Sequence, residues 1–139
     1  MNTMDLPLIK HAGLEKMAKS SGYIFSMLPD QKLLNHLGTL HAGALFILAE
    51  ATSGEFLLKE FKTVANKVVP VVRKAEIKFS KPADGIVYSK AEYLNTDKNE
   101  VLIELKNRKR AIVNVRVDLY NESKERVFTS VFCWFIIMN

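Results

Sequence analysis

The segment LNHLGTLHAGALFILAEATSGE, residues 34–55, decides the fold of this chain. Between residues 42 and 54 it is almost wholly apolar and rich in small side chains, so we predict a helix from about His41 to Phe61 that the rest of the protein wraps. The small side chains let neighbouring backbone approach this helix closely. One residue departs from the pattern, because Glu50 places a carboxylate in the middle of the helix.

The surroundings of Glu50 on the helix offer it no counter-ion. Its neighbours at three and four residues in either direction are apolar or small: Phe46, Ile47, Ser53 and Gly54. An unpaired carboxylate in the interior is costly unless it takes up a proton. The alternative is that Glu50 lies on a narrow exposed stripe. We treat it as a candidate functional group, since the adjacent turns offer no polar stripe.

The start of the helix has the composition of a binding site for a ligand oxygen. Ala42 and Gly43 leave room beside the unpaired backbone N–H groups at the positive end of the helix dipole, which is the geometry of an oxyanion hole. Gly43 could instead serve to pack against a strand. His41 is either a functional ring or a cap, and Asn35 either orients a water or a carbonyl or closes a turn.

The spacing of these candidates bears on how they could act together. Positions 41 and 50 are nine residues apart, which is half a helical turn out of phase and ~13.5 Å along the axis. The start of one helix and its own Glu50 therefore cannot meet on one small substrate. If both are catalytic, they must come from two subunits related by a two-fold axis.

The rest of the chain predicts a short leading helix, several strands and a helical turn. The leading amphipathic helix covers Pro7 to about Ser20, a strand and turn lie in Gly22–Asp30, and a helical turn or two begins at Asp97 within Asp97–Lys106. The other strands are Lys67–Ser80, Ile86–Leu94, Ala111–Leu119 and Val127–Ile137. These elements predict an α+β fold in which a curved antiparallel sheet wraps around one long central helix.

Two of the strands carry more specific expectations. In the first long strand the apolar residues recur at period two and are predicted to share one face: Val69, Val71, Ala75, Ile77 and Phe79. The last strand is apolar on both faces. It is therefore either central and covered on both sides, or one of its faces meets another subunit.

Composition restricts the protein class. The 139 residues favour a single domain over 1–139. No signal peptide is evident, and the longest apolar run, at 131–138, is far shorter than the ~20 residues that span a bilayer, so we expect no membrane insertion. The lone Cys133 suits a reducing, cytoplasmic location.

The net charge of +5 does not by itself indicate a nucleic-acid-binding protein. The one dense basic cluster, at 106–110, contains no aromatic residue to stack on bases. It suits a solvated loop best and a small polyphosphate ligand next. No spacing of His, Cys, Asp or Glu indicates a metal site.

The stretch NHLGTLHAGALFILAE resembles the signature of the hotdog-fold acyl-CoA thioesterases, in particular the branch related to the phenylacetate-pathway thioesterases. The family pattern has an Asn, then His-Gly-Gly or a similar triplet six residues later, then an Asp or Glu nine residues beyond the His. These positions here are Asn35, His41-Ala42-Gly43 and Glu50. The resemblance extends over nearly the whole chain, and it implies the hotdog fold and a homodimer or homotetramer.

The resemblance also implies a reaction, the hydrolysis of an acyl-CoA or acyl-carrier thioester. In such families the carboxylate, here Glu50, is the general base or nucleophile. The amide after the His, here that of Ala42, polarises the thioester carbonyl, and the Asn positions water or carbonyl. No cofactor is implied, since coenzyme A is part of the substrate.

Two departures from the family pattern concern substrate contacts. Relatives often carry a Ser or Thr in the strand after the helix, where this chain has Val71, Val72 and Arg73, so Thr52 or Ser53 is the candidate replacement. Candidates for binding the phosphates of coenzyme A are basic: Lys81, Arg108, Lys109 and Arg110.

Two further functions remain open at this stage. A non-catalytic module that binds or senses acyl-CoA would keep the same fold without turnover. A hydratase or dehydratase on this fold is less favoured, because the stretch HLGTLHAGA lacks the prolines of that pattern.

Overall fold

The computed structural model describes residues 2–139. Its helices are α1 (Pro7–Ala12), α2 (Ala42–Glu60) and α3 (Lys98–Arg108). Its strands are β1 (Glu15–Lys16), β2 (Phe25–Met27), β3 (Val68–Phe79), β4 (Val87–Tyr93), β5 (Arg110–Tyr120) and β6 (Arg126–Met138). None of the helices within the described residues is long and apolar enough to cross a membrane.

The strands form one antiparallel sheet in the order β1-β2-β4-β5-β6-β3. Helix α2 packs against β2, β4, β5 and β6 on the inner face of this sheet, whereas β3 lies beyond it at the edge. The α+β class and the central helix are therefore confirmed.

The central helix has the predicted extent to within one residue at each end. It begins at Ala42, with His41 as its N-cap, and it ends at Glu60, where the Phe61 N–H donates to Leu57 O. Its middle is buried against the sheet, with Leu48 fully inaccessible. The packed sheet face explains why a helix that is apolar nearly all round is stable in this chain.

The leading helix is shorter than predicted, and its extension to Ser20 is wrong. Helix α1 ends at Ala12 because Gly13 adopts the left-handed conformation (φ 71°), and its N–H donates to Ile9 O and Lys10 O. A glycine in this conformation is a common end to a helix. The chain then enters the short strand β1, which pairs with β2.

The prediction that the apolar residues of β3 share one face is also wrong. The pairing of β3 with β6 shifts register at Arg73, where a bulge inserts one residue. Val69 and Val71 consequently lie exposed on the outer face of the sheet, while Ala75 and Ile77 pack against the core on the inner face. One extra residue reverses the side on which every later side chain lies.

Strand β6 is central, between β5 and β3. Its inner face is buried, including Phe132 and Ile136. On its outer face Phe135 is half-buried and Ile137 is exposed. The central position explains one apolar face, and residues 2–139 leave the other face partly exposed.

Helix α3 is longer than the one or two turns predicted, but its start is confirmed. The Asp97 carboxylate accepts hydrogen bonds from the N–H groups of Asn99 (2.9 Å) and Glu100 (3.1 Å). Val101 and Leu105 are buried against the sheet, so the helix continues for as long as it has apolar contacts to make.

Candidate active site

The first turn of α2 presents a free and exposed backbone donor at Ala42. The Gly43 N–H donates to His41 Nδ1 at 2.8 Å. A Cβ at position 43 would lie 3.2 Å from that nitrogen, which is a tight contact, so glycine at this position leaves room for the imidazole ring. Because Nδ1 accepts, the neutral His41 ring carries its proton on Nε2. The Ala42 N–H has no acceptor among residues 2–139, and Ala42 is exposed.

A pocket of about 340 Å³ opens at this turn. Asn35, Ala42 and Leu45 lie on one side, and Phe79 and Lys81 lie on the other. The two walls come from segments far apart in sequence, the loop leading into α2 and the turn following β3. A largely apolar pocket lined in part by Ala42, whose amide is free, suits a ligand with an apolar body and one polarised oxygen.

Asn35 closes the loop that delivers the chain to α2. Its Oδ1 accepts from the N–H groups of Leu37 (2.9 Å) and Thr39 (3.1 Å), and its Nδ2 donates to Thr39 Oγ1 (2.9 Å). Both ends of the amide are thus engaged within the turn. The sequence left two roles open for Asn35, orienting a water or carbonyl and closing a turn, and these hydrogen bonds close a turn. Asn35 also borders the pocket.

Glu50 is half-buried in the middle of α2. Within the described residues its carboxylate makes no hydrogen bond and no ion pair. Burial raises the pKa of Glu50 above its ordinary value of 4.5, because desolvation disfavours the charged form. Glu50 is not among the residues that line the pocket at Ala42, as expected for two positions about 12 Å apart along one helix.

The less buried side of α2 runs along Gly43, Phe46, Glu50 and Gly54, and we call these four residues the open stripe. Phe46 packs edge-on against Phe132 with ring centroids 5.7 Å apart. A Cβ on Gly54 would lie 3.5 Å from the ring of Trp134.

Phe132 and Trp134 both belong to β6, which is the neighbour of β3. The open stripe therefore faces the side of the sheet where β3 lies, and α2 does not cover that side.

The two hydroxyls proposed as helpers are fully buried. The Thr52 hydroxyl lies 2.6 Å from that of Ser89. The Ser53 hydroxyl donates to Glu50 O at 2.7 Å and accepts from Trp134 Nε1–H at 3.0 Å. The structure therefore gives neither Thr52 nor Ser53 access to a substrate in this chain.

The basic candidates fall into two separate places. Lys81 borders the pocket and forms an ion pair with Glu125. Arg108, Lys109 and Arg110 lie at the end of α3 and the start of β5, beside the last residues of β6. That is the far end of the sheet, since β3 is 12 residues long and its ends are roughly 36 Å apart. One chain does not bring the two sets together.

A second carboxylate on α2, Glu55, is more deeply buried than Glu50, at 6% exposure. It accepts from the Thr3 hydroxyl (3.0 Å) and lies near Lys16 Nζ (3.4 Å) and Lys59 Nζ (3.8 Å). Glu55 therefore connects the N-terminal segment to α2, which is a structural role. Its spacing of four residues from Lys59 is the feature of the sequence that indicates an ion pair at this position. Residues 2–139 contain no group of His, Cys, Asp or Glu side chains that could hold a metal ion.

Comparison with known proteins identifies both a family and a fold. The model of the family described as "Domain of unknown function (DUF4442)" matches residues 21–136. A solved structure from Pseudomonas aeruginosa, described as a protein of unknown function and probable thioesterase, is 25% identical with a TM-score of 0.83, and the match covers 99% of this chain and 91% of that one. No curated protein matches significantly.

Two more distant structures share the fold. A thioesterase from Haemophilus influenzae is 20% identical with a TM-score of 0.74, over 97% of this chain and 85% of that one. A Bacillus halodurans protein solved with CoA is 14% identical with a TM-score of 0.72, over 94% and 75% of the two chains. The expected hotdog fold, a curved antiparallel sheet around a central helix, is thereby confirmed.

Proposed function

The chain belongs to the DUF4442 family, and we propose that it hydrolyses the thioester of an acyl-CoA or an acyl carrier to a free acid and a thiol. The observation that carries this proposal is that α2 has both a free N–H at Ala42, a residue that lines an apolar pocket, and the unpaired, half-buried carboxylate of Glu50. The similarity to a probable thioesterase and to a protein solved with CoA supports the same reaction class.

In the proposed reaction the Ala42 N–H donates to the thioester carbonyl oxygen and stabilises the negative charge that develops there. Glu50 acts as the general base. It removes a proton from a water molecule as the water oxygen attacks the carbonyl carbon. Collapse of the tetrahedral intermediate breaks the C–S bond, and the proton returns to the departing thiolate. As a nucleophile, the same carboxylate would form a mixed anhydride that water then cleaves.

We propose that each active site combines two chains of a homodimer. Ala42 and Glu50 lie eight residues apart on one helix, which separates them by about 12 Å along its axis, so a single chain cannot bring both to one carbonyl. The open stripe that holds Glu50 faces the β3 side of the sheet, and β3 is one of the two edge strands. A second copy that approaches along β3 would therefore bring its own α2 start towards this Glu50.

The sequence of β3 favours one way for two copies to pair. The bulge at Arg73 and the proline at position 70 discourage pairing along the first half of this edge, which leaves Lys74–Phe79. Antiparallel pairing centred on Ile77 would use residues 75–79 and place Glu76 opposite Lys78 of the partner subunit. Centring on Glu76 would instead set two glutamates against each other, which is unfavourable.

The remaining site residues take positioning roles in this proposal. Asn35 holds the loop against the pocket through its bonds to Thr39. His41 accepts from the Gly43 N–H through Nδ1, which leaves its Nε2–H available as a donor. Lys81, at the pocket rim, is placed to meet a phosphate of the thiol carrier.

A second candidate function, acyl-CoA binding without turnover, is favoured by one specific observation. Among the described residues the usual helper positions of β3 carry no hydroxyl, and the hydroxyls of Thr52 and Ser53 are enclosed by protein. A site with no hydroxyl to orient water would bind the thioester and leave it intact.

The experiment that separates the two functions is a hydrolysis screen over acyl-CoAs of different chain length and aromaticity, with release of free thiol as the signal. We expect turnover of at least one acyl-CoA. Glu50→Gln should lower kcat by about 10²-fold or more, the usual contribution of a general base. Glu104→Gln, which removes an exposed carboxylate on α3, is the matched control.

Unchanged turnover in a folded Glu50→Gln protein would refute the role of Glu50. Tight binding of an acyl-CoA without turnover would establish the binding module instead.

A further inference from the structure

The outer face of the sheet carries a contiguous apolar surface that the proposed reaction does not use. The pairing registers place its residues in two rows across β5, β6 and β3: Arg110, Ile137 and Val69 in one row, and Ile112, Phe135 and Val71 in the next. We call the five apolar members the outer patch. Val69 and Val71 are 47% exposed, Ile112 is 45% exposed and Ile137 is 39% exposed.

An exposed apolar surface of several adjoining residues is characteristic of an interaction site. The outer patch is spread over the surface of three neighbouring strands, and its residues line neither the pocket at Ala42 nor the next four best-formed pockets within residues 2–139. Small-molecule sites are concave. The shape of the patch therefore points to an extended partner surface.

The rim of the outer patch is basic. Arg73 lies over the ring of Phe135, 5.3 Å from its centroid. The N–H of Met138 donates to Lys109 O, and that of Asn139 donates to Lys67 O, both at 2.8 Å, which places both lysines at the end of β6.

Arg108 and Arg110 adjoin Lys109 in sequence. None of these five cations forms an ion pair within the described residues, and the stretch 105–117 contains no acidic residue.

This charge distribution discriminates between the possible occupants. A second copy seated face to face on the outer patch would bring two basic rims together, and such like-charge contact is unfavourable. An anionic surface is complementary to the rim. A bilayer surface also requires no shape complementarity, only apolar residues beside cations.

We propose that the outer patch and its basic rim dock the protein on an anionic lipid surface. The cations contact the lipid phosphates, and the apolar residues contact the acyl boundary between them. This inference goes beyond the proposed hydrolysis and is independent of it, because adsorption involves neither Ala42 nor Glu50.

Sedimentation with vesicles tests this proposal. We expect the intact protein to bind vesicles of phosphatidylcholine mixed with phosphatidylglycerol, and to bind them less as the salt concentration is raised. It should not bind vesicles made only of phosphatidylcholine. Arg108→Gln with Arg110→Gln should weaken binding by about thirtyfold, because each basic residue contributes appreciably at an anionic surface. Lys19→Gln with Lys62→Gln is the matched control. It changes the charge equally, at lysines that border α2 on the opposite face.

A second variant, Val71→Thr with Ile112→Thr, tests the apolar contribution while keeping branched residues that suit strands. It too should bind more weakly than the wild type, with its folding checked by thermal unfolding.

The proposal is overturned if the wild type does not bind the anionic vesicles, or if both patch variants bind as the wild type does. Light scattering gives a further check. The wild type could form an assembly larger than a dimer that is lost in the variant with Val71→Thr and Ile112→Thr. That result would show that the outer patch is a contact between copies of the chain.

Discussion

Replacing Ala42 with proline would delete the proposed oxyanion donor with little disturbance of the fold. Ala42 is the first residue of α2, a position where proline is favoured because its missing N–H has no helical partner and its φ suits the helix. The preceding His41 already has φ −63° and ψ 145°, a conformation that a residue before proline readily adopts. The substitution therefore removes one hydrogen-bond donor and leaves the helix in place.

The expected effect follows from what such a donor contributes. Loss of one oxyanion-hole hydrogen bond typically lowers kcat by about 10²–10³. We expect Ala42→Pro to show this loss in acyl-CoA hydrolysis, with thermal stability close to that of the wild type. Ala42→Val is the matched control, because it adds comparable bulk beside the pocket and keeps the N–H. Equal losses in the two variants would indicate obstruction of the pocket rather than loss of the donor.

The same variant tests whether the site is shared between chains. Ala42→Pro and Glu50→Gln chains carrying different tags are unfolded, mixed in equal amounts and refolded. Random pairing makes about half of the dimers mixed, and each mixed dimer has one doubly altered site and one intact site. Activity should recover to about a quarter of the wild-type value.

Two results would refute this reasoning. Full activity of a folded Ala42→Pro protein would show that its N–H does not stabilise the transition state. No recovery, with mixed dimers isolated through both tags, would show that each site lies within one chain, because every site would then carry one of the two changes.

Two other predictions concern stability and assembly. The raised pKa of Glu50 means that its contribution to stability is present below the ordinary pKa and is lost as pH rises through the raised value. Glu50→Leu should therefore have a higher melting temperature than the wild type at neutral pH, and this difference should shrink as the pH is lowered. A difference in melting temperature that does not depend on pH would contradict this. Glu76→Lys should raise the dimer dissociation constant in sedimentation, by up to about thirtyfold for two like-charge cross-strand pairs, whereas Glu92→Lys on β4 should not. An equal effect of both substitutions would argue against the pairing centred on Ile77.

The central helix could be predicted closely because its signal is local. A long apolar run with small residues starts after His41 and ends at Phe61, and the structure places α2 within one residue of both. The lack of a counter-ion for Glu50 on its own helix also followed from spacing alone, since its helical neighbours are fixed by the period of the helix.

The errors in the predicted fold have equally local causes, but sequence patterns do not reveal them. The period-two apolar pattern of β3 is interrupted only at Arg73, and one charged residue does not by itself indicate the bulge that reverses the faces in the sheet. The left-handed Gly13 ends α1 within a stretch whose apolar spacing continues. In both places one residue's backbone conformation overrides a periodic pattern.

The site itself was only partly predictable, because its walls come from distant segments. The sequence identified Ala42 as a free amide, but the pocket exists only because the turn after β3 brings Phe79 and Lys81 against the start of α2. Thr52 and Ser53 were suggested by residue type, and their burial could be known only once the sheet was placed around the helix.

The position of α2 on the sheet ties the proposed chemistry to assembly. Had Glu50 faced β4 or β5, it would be sealed in the core with no partner, and had it faced water, its pKa would be unperturbed. It lies instead on the open stripe, the side of the helix that residues 2–139 cover least. In the proposed dimer the second copy removes further water from Glu50, which raises its pKa, and brings the positive end of its own helix near, which lowers it. The basicity of Glu50 is then set by the dimer, so dissociation into single chains should abolish both the shared site and the tuning of its base.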